Sequence, residues 1–377
     1  MTTSNPVTAA RFDATRPVPD RFFPAPTGEL DALGEVLGSG RLSGGAEIVA
    51  AYEQALAGWF GVRRVIAVNS GSSALHATLV AAGAGPGTEV LLPATAPLPT
   101  ALPVLTCGAT PVIVDVVPDG LALAPDDVAA KITGRTVAAI SLPLWGYPVD
   151  DRPAKQVLDR EGIALIEDAC QAHGTRLPGG GYAGTFGTAG CFSTHERKLL
   201  ATGEGGFVVT DDAELGEKID FYTHLGHLRG GHGVNYKLAA PLAAIGLRRL
   251  AALTSQLQDR ASIAGTLRAA LPDGGPLSEL PIPDGAAPNY YSMVLLAEPG
   301  HATRIAAGFA EAGLPPDSIR FGYRPLYEQP LFHPYATTCP NAEALAARTV
   351  QLPAHPDLTR DAIGWTAAAI TRLGQRP

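Results

Sequence analysis

Through its first half the chain alternates short apolar, β-branched runs with amphipathic stretches. Residues 64–68 (RVIAV), 90–92, 112–116, 137–142 and 163–167 (IALIE) read as buried strands, and residues 73–84, 125–132 and 151–161 as the helices between them. Pro125 suits the first position of a helix, where its missing N–H costs nothing. Strands alternating with helices imply βαβ units, and therefore a mostly parallel sheet covered on both faces. A further strand at 205–210 (GGFVVT) leads into an amphipathic helix at 211–222, and a long helical pattern follows over 239–271. After a Gly/Pro-rich connector at 274–288, a second α/β unit is expected, with a strand at 290–296 and helices at 302–312 and 359–373. The fold expected is thus α/β, a three-layer large domain with a smaller C-terminal α/β domain. The divisions expected are an N-terminal arm (1–30), a large domain (31–250) and a small domain (251–377).

One apolar stretch tests this picture. No charge occurs from Val90 to Val114, long enough in principle to span a bilayer. Pro93, Pro97, Pro99, Pro103 and Pro111 interrupt it, and each removes a helix hydrogen bond. Strands and short helices joined by turns fit better than a membrane span.

Composition narrows the function classes. Hydrophobic residues make up 46% of the 377 and charged residues 17%, a balance that excludes a disordered polyelectrolyte. A net charge of −8 argues against nucleic acid or an anionic membrane as the main partner. Cys107, Cys170, Cys191 and Cys339 form no CxxC pair and read as buried thiols of a reducing compartment. The first residues lack a basic segment followed by an apolar core, so no secretory signal is visible and a cytoplasmic location is expected. His224, His227 and His232 lie close together, but no Cys or carboxylate completes a metal-binding spacing, so no metal is expected.

Three features carry chemistry. Lysine occurs only at 131, 155, 198, 218 and 237, and Lys198 alone sits in a loop between a strand-like segment and a Gly-rich turn. A lysine there suits a covalent amine nucleophile, whose pKa falls when desolvated. Asp168 directly follows a buried strand, and two readings stand: a helix cap, or the partner of a pyridinium nitrogen. The segment Asn69-Ser70-Gly71-Ser72-Ser73 opens a helix after a strand, as an ordinary cap or as a phosphate cradle of hydroxyls and free N–H groups.

In that chain order these features resemble the fold-type-I pyridoxal-phosphate enzymes, specifically the DegT/StrS-type sugar aminotransferases. The resemblance runs from about Gly38 to Leu250. Its landmarks are Ser70 to Leu75, Gly85 to Val90, Pro111 to Val116, Leu144 to Pro148, Ile166 to Gly174, and Ser193 to Lys198 with the Gly-Glu-Gly-Gly tail that follows. The resemblance implies pyridoxal 5'-phosphate as cofactor, held covalently by Lys198, which also acts as the proton-transferring acid and base. It further implies that Asp168 pairs with the pyridine nitrogen, Gln171 bonds the phenolic oxygen, and Ser72, Ser73 and Ser193 hold the phosphate. Asn235 matches an Asn that reaches the phosphate from a neighbouring subunit, which makes a homodimer with shared active sites part of the expectation. His195, Tyr323 and Arg324 are candidate substrate contacts, the arginine because its fork suits a donor carboxylate.

Two positions depart from the family pattern. Pro97 stands where an aromatic ring usually covers the cofactor, and the usual Glu and Gln after Lys237 are replaced in Leu238 to Leu242. The activity implied is amino transfer from glutamate or glutamine to a keto-sugar or keto-cyclitol, in amino-sugar, aminocyclitol or antibiotic biosynthesis. A dehydratase or eliminase on the same fold, or a non-catalytic cofactor-binding paralogue, stands as the alternative. Retention of Lys198 counts against the dehydratase.

Overall fold

The structure, a computed structural model, describes residues 18, 19, 22, 28–314 and 323–375. Most of the expected N-terminal arm therefore lies outside the described residues. Two helices not expected from the sequence, α1 (Glu29–Ser39) and α2 (Glu47–Phe60), precede the first strand. Both end at a glycine with positive φ, Gly40 and Gly61.

The large sheet follows the expected alternation. Its strands are β1 (Arg64–Val68), β2 (Glu89–Pro93), β3 (Thr110–Val114), β4 (Thr136–Ser141), β5 (Ala164–Asp168), β6 (Ala189–Ser193) and β7 (Gly206–Thr210). They lie in the order β1-β7-β6-β5-β4-β2-β3, and β7 alone runs antiparallel to its neighbours. The helices α3 (Gly71–Ala81), α4 (Leu98–Thr106), α5 (Pro125–Lys131) and α6 (Arg152–Arg160) fall between the strands, and α7 (Ala213–Thr223) follows β7. Central strands β2 and β6 are buried at every residue, as helices on both faces require. The charge-free stretch resolves into β2, α4 and β3, with Pro97 as the cap of α4 and Pro103 inside it. No described helix is long and apolar enough to cross a membrane.

Helix α8 (Ala240–Arg268) runs without a break through residue 250, where the domain division was expected. Beyond it stands a small antiparallel sheet, β8 (Leu277–Glu279), β9 (Met293–Ala297) and β10 (Thr349–Leu352), in the order β10-β9-β8. Helices α9 (Ala302–Glu311), α10 (Pro340–Arg348) and α11 (Arg360–Leu373) accompany it. Two expectations are corrected here. The connector at 274–288 contains β8, and the strand expected from 290 begins at Met293, because Tyr290 takes a positive φ of 53° that no strand accepts.

Candidate active site

Ligands of parallel α/β sheets gather beyond the carboxyl ends of the strands. Here a cavity of about 340 Å³ occupies that edge, lined among others by Ser70, Ser72, Pro97, Thr100, Asp168, Gln171, Ser193, His195 and Lys198. Each comes from a segment that leaves the same edge of the sheet. Asp168 is the last residue of β5 and Ser193 the last of β6, while Ser70 caps α3 just past β1.

The α3 terminus is a conventional serine cap and a cavity wall at once. Ser70 Oγ accepts from the Ser73 N–H at 3.0 Å, leaving other first-turn N–H groups without intrahelical partners. Ser72 is exposed on the cavity side. Ser73, by contrast, is buried beneath it and donates its hydroxyl to Asn69 Oδ1 at 2.6 Å, so its side chain is absent from the cavity wall. Gly71 permits the close approach: a Cβ there would lie 2.7 Å from Ser193 Cβ and 2.8 Å from Cys170 Sγ.

Strand alternation separates two adjacent carboxylates. Glu167 accepts three backbone N–H bonds, from Gly184, Phe186 and Gly187, and burial pushes its carboxyl up to about 7. Asp168 points to the other side, into the cavity. It accepts from Thr100 Oγ1 at 2.5 Å and from the Cys170 N–H at 3.1 Å. No helix starts at 169, so the cap reading of Asp168 falls. At 5% exposure it forms no ion pair with any described residue, and a buried carboxylate is costly without a cation. Gln171 accepts from the Trp145 N–H at 2.7 Å through Oε1, and its amide nitrogen makes no hydrogen bond to any described residue. Trp145 itself sits at φ 57°.

Lys198 projects from the loop joining β6 to β7. The loop is fixed by Leu199 and Leu200 in the core, by the paired hydroxyls of Thr194 and Thr202 at 2.7 Å, and by Arg249 of α8, which donates to the Ala201 carbonyl at 2.7 Å. Gly205 closes it at φ 139°, where a Cβ would strike Thr194 Oγ1 at 2.4 Å. Lys198 Nζ lies 5.1 Å from the ring centroid of Tyr291, which arrives from the second α/β unit. Burial drives the Cys170 thiol well above its ordinary range, with Asp168 adding to the effect. It drives His173 down to about 3, assisted by Lys198, so that imidazole is neutral.

A second cavity, of about 500 Å³, shares Pro97, Pro99, Leu144 and Gln171 with the first and extends toward the small sheet. Tyr323 and Arg324 line it, Arg324 exposed on its rim. Asn235 lies in neither; it is exposed, bridging to His224. His224 and His227 face Asp220 at 3.2 and 3.5 Å, and no described group of three His, Cys, Asp or Glu is arranged to hold a metal. Sequence reasoning missed Thr100 and Tyr291, whose neighbours in the chain carry no motif.

Comparison with known proteins agrees with this geometry. Residues 27–371 match the DegT/DnrJ/EryC1/StrS aminotransferase family. The chain is 35% identical to L-glutamine:2-deoxy-scyllo-inosose aminotransferase of Streptomyces kanamyceticus, across 92% of this chain and 88% of that one. It is 34% identical to UDP-N-acetyl-3-dehydro-alpha-D-glucosamine 3-aminotransferase of Acidithiobacillus ferrooxidans, across 85% and 87%. The crystal structure of the sugar aminotransferase CalS13 from Micromonospora echinospora superposes with a TM-score of 0.86 at 28% identity, covering 94% of this chain and 99% of that one. The chain belongs to the DegT/DnrJ/EryC1/StrS family of pyridoxal-phosphate-dependent aminotransferases.

Proposed function

We propose that the protein moves an amino group from glutamine or glutamate to the ketone of a sugar or cyclitol, as a homodimer, for amino-sugar or aminocyclitol synthesis. The observation that carries this reading is a single cavity wall bearing a loop lysine, a buried carboxylate with no ion pair among the described residues, an amide with its nitrogen free of described partners, and a serine-rich helix terminus. The relative named for glutamine and a keto-inosose supports the choice of donor and of acceptor class.

The residues present suit pyridoxal phosphate. When bound, the cofactor supplies an electron sink for the carbanion formed at the carbon that loses its proton. Asp168, held in orientation by the Thr100 hydroxyl, is suited to keep a proton on the pyridine nitrogen. It has no cation partner among the described residues, and a protonated pyridine nitrogen would supply one. Gln171 Nε2 is suited to donate to the phenolic oxygen. Ser72, Ser193 and the first-turn N–H groups of α3 suit a phosphate dianion, favoured further by the positive end of the helix. Lys198 Nζ would carry the cofactor, then take the proton from the donor Cα and deliver it to the adjacent cofactor carbon. Asn235 is assigned to the partner's phosphate, which accounts for its exposure within one protomer.

The test has two halves. Purified protein loaded with pyridoxal phosphate should be converted to the pyridoxamine form by glutamine or glutamate, read in the visible spectrum. The pyridoxamine form should then be consumed by at least one member of a panel of keto-sugars and keto-cyclitols. No conversion by either amino acid sinks the donor assignment; no consumption by any ketone sinks the acceptor assignment.

A further inference from the structure

The floor of the second cavity has a chemistry that none of these steps uses. Arg260 of α8 lies there, 5% exposed. Its Nη1 donates to the Tyr290 carbonyl at 2.9 Å and to the Ala354 carbonyl at 3.0 Å, and the Phe22 ring stands 5.9 Å away. Its Nε is buried with no hydrogen-bond partner among the described residues, and no described carboxylate forms an ion pair with it. Asp357 acts on it only through space, and burial pulls the guanidinium down to about 10. On the same wall the Tyr323 hydroxyl is also buried without a partner among the described residues, and Gln351 and Ser292 are each 5% exposed.

A buried cation whose described hydrogen-bond partners are neutral carbonyls is expensive, and a planar fork with an N–H free of described partners suits a carboxylate. The location fits the reaction. Arg260 bonds the carbonyl of Tyr290, and the next residue's ring, Tyr291, faces Lys198 Nζ. Arg324, the arginine expected from sequence to bind a carboxylate, is exposed and bonded to Gln329 Oε1 at 3.1 Å.

We propose that Arg260, with the Tyr323 hydroxyl and Gln351, forms the subsite that binds the carboxylate of the amino donor. This rests on the reading of an amino acid as donor. A keto-sugar or keto-cyclitol ring brings hydroxyls, which need no guanidinium, whereas every amino-acid donor brings a carboxylate. A phosphate on the acceptor would share the oxyanion chemistry, so the experiment separates the two sources.

Arg260→Lys keeps the charge and loses the fork; Tyr323→Phe and Gln351→Leu remove one polar group each and spare the backbone contacts of Arg260. Binding of glutarate, a dicarboxylate that cannot react, is measured by calorimetry alongside the two half-reactions. Arg260→Lys and Tyr323→Phe should each weaken donor and glutarate binding roughly ten- to a hundredfold, as for the loss of a hydrogen bond to a charged group. The KM of the pyridoxamine form for its ketone should stay within about twofold in each. Wild-type donor and glutarate affinity in folded variants overturns the proposal, as does an effect confined to the acceptor, which would assign the oxyanion to the ketone substrate. If Arg260→Lys does not fold, Tyr323→Phe and Gln351→Leu decide. If glutarate binds in an Arg260-dependent way but neither glutamine nor glutamate converts the cofactor, the donor identity fails and the subsite stands.

Discussion

The two cavities meet at Pro97, Pro99, Leu144 and Gln171, yet they are built on different plans. The first is lined by residues 70–204, and all its polar groups leave the carboxyl edge of one sheet. The second draws on Phe22, α8, the approach to β9, β10 and the segment around Tyr323, with sequence separations that reach from residue 22 to residue 355. A parallel sheet fixes strand ends relative to each other through its ladder, so groups that must act in concert are best mounted there. The second cavity is a seam between the large sheet and the small one, and its walls can change without disturbing that ladder. On the proposed assignments, chemistry and donor recognition would then fall on separable parts of the chain.

The largest effect is expected at Lys198. Lys198→Ala should lower turnover by about 10⁴-fold or more, with the fold and noncovalent cofactor binding retained, because the phosphate and pyridine contacts do not involve Nζ. Borohydride reduction of the wild type, followed by peptide mapping, should place the cofactor on Lys198; labelling of another lysine would move the chemistry out of the first cavity.

Asp168→Asn comes next. It preserves the shape and the Thr100 contact but removes the charge, and should cost about 10³-fold in both half-reactions alike. An effect on one half-reaction only would mean that the first cavity discriminates between substrates, contrary to the division drawn above.

His173 tests the packing behind the large sheet rather than the chemistry of either cavity. Its imidazole is packed 5.1 Å from the Phe192 ring, and both ring nitrogens are buried without partners among the described residues. Its pKa is lowered from the ordinary 6.5 to about 3 in the folded protein. Between those values the unfolded chain binds a proton that the folded one refuses. The stability it contributes is therefore complete above pH 6.5 and is lost as pH falls toward 3. The slope for one proton is about 1.4 kcal/mol per pH unit. Denaturant melts of wild type and His173→Leu should show the variant losing less stability per pH unit on the acid side, and parallel curves would refute the assignment.

The smallest effect is expected at Pro97, on the wall both cavities share. Pro97→Tyr should improve cofactor retention by about 0.5–1.5 kcal/mol, the worth of aromatic stacking beyond burial, measured as the dissociation constant of pyridoxal phosphate. Tighter cofactor binding with a raised ketone KM would show that the proline keeps that space open for substrate.

The chain itself determined the order of the large sheet's elements and most of the first cavity. The β-branched runs declared β1 to β5, and Asp168, Gln171, Ser193 and Lys198 belong to local motifs whose positions at strand ends follow from the alternation. Ser72 and Ser73 looked alike in sequence; helix phase turned one to the cavity and the other into the cap network. Only the tertiary structure decided Thr100, Tyr291 and Arg260. Thr100 matters because α4 brings it to a carboxylate 68 residues further on, and Tyr291 because the small unit carries its ring to Lys198. Arg260 lies among polar residues on a 29-residue helix and has the local pattern of a solvated face. It is buried because the segments around Tyr290 and Ala354 close over it. Local periodicity is written in neighbouring residues, whereas the burial of a charge depends on which distant segments pack against it.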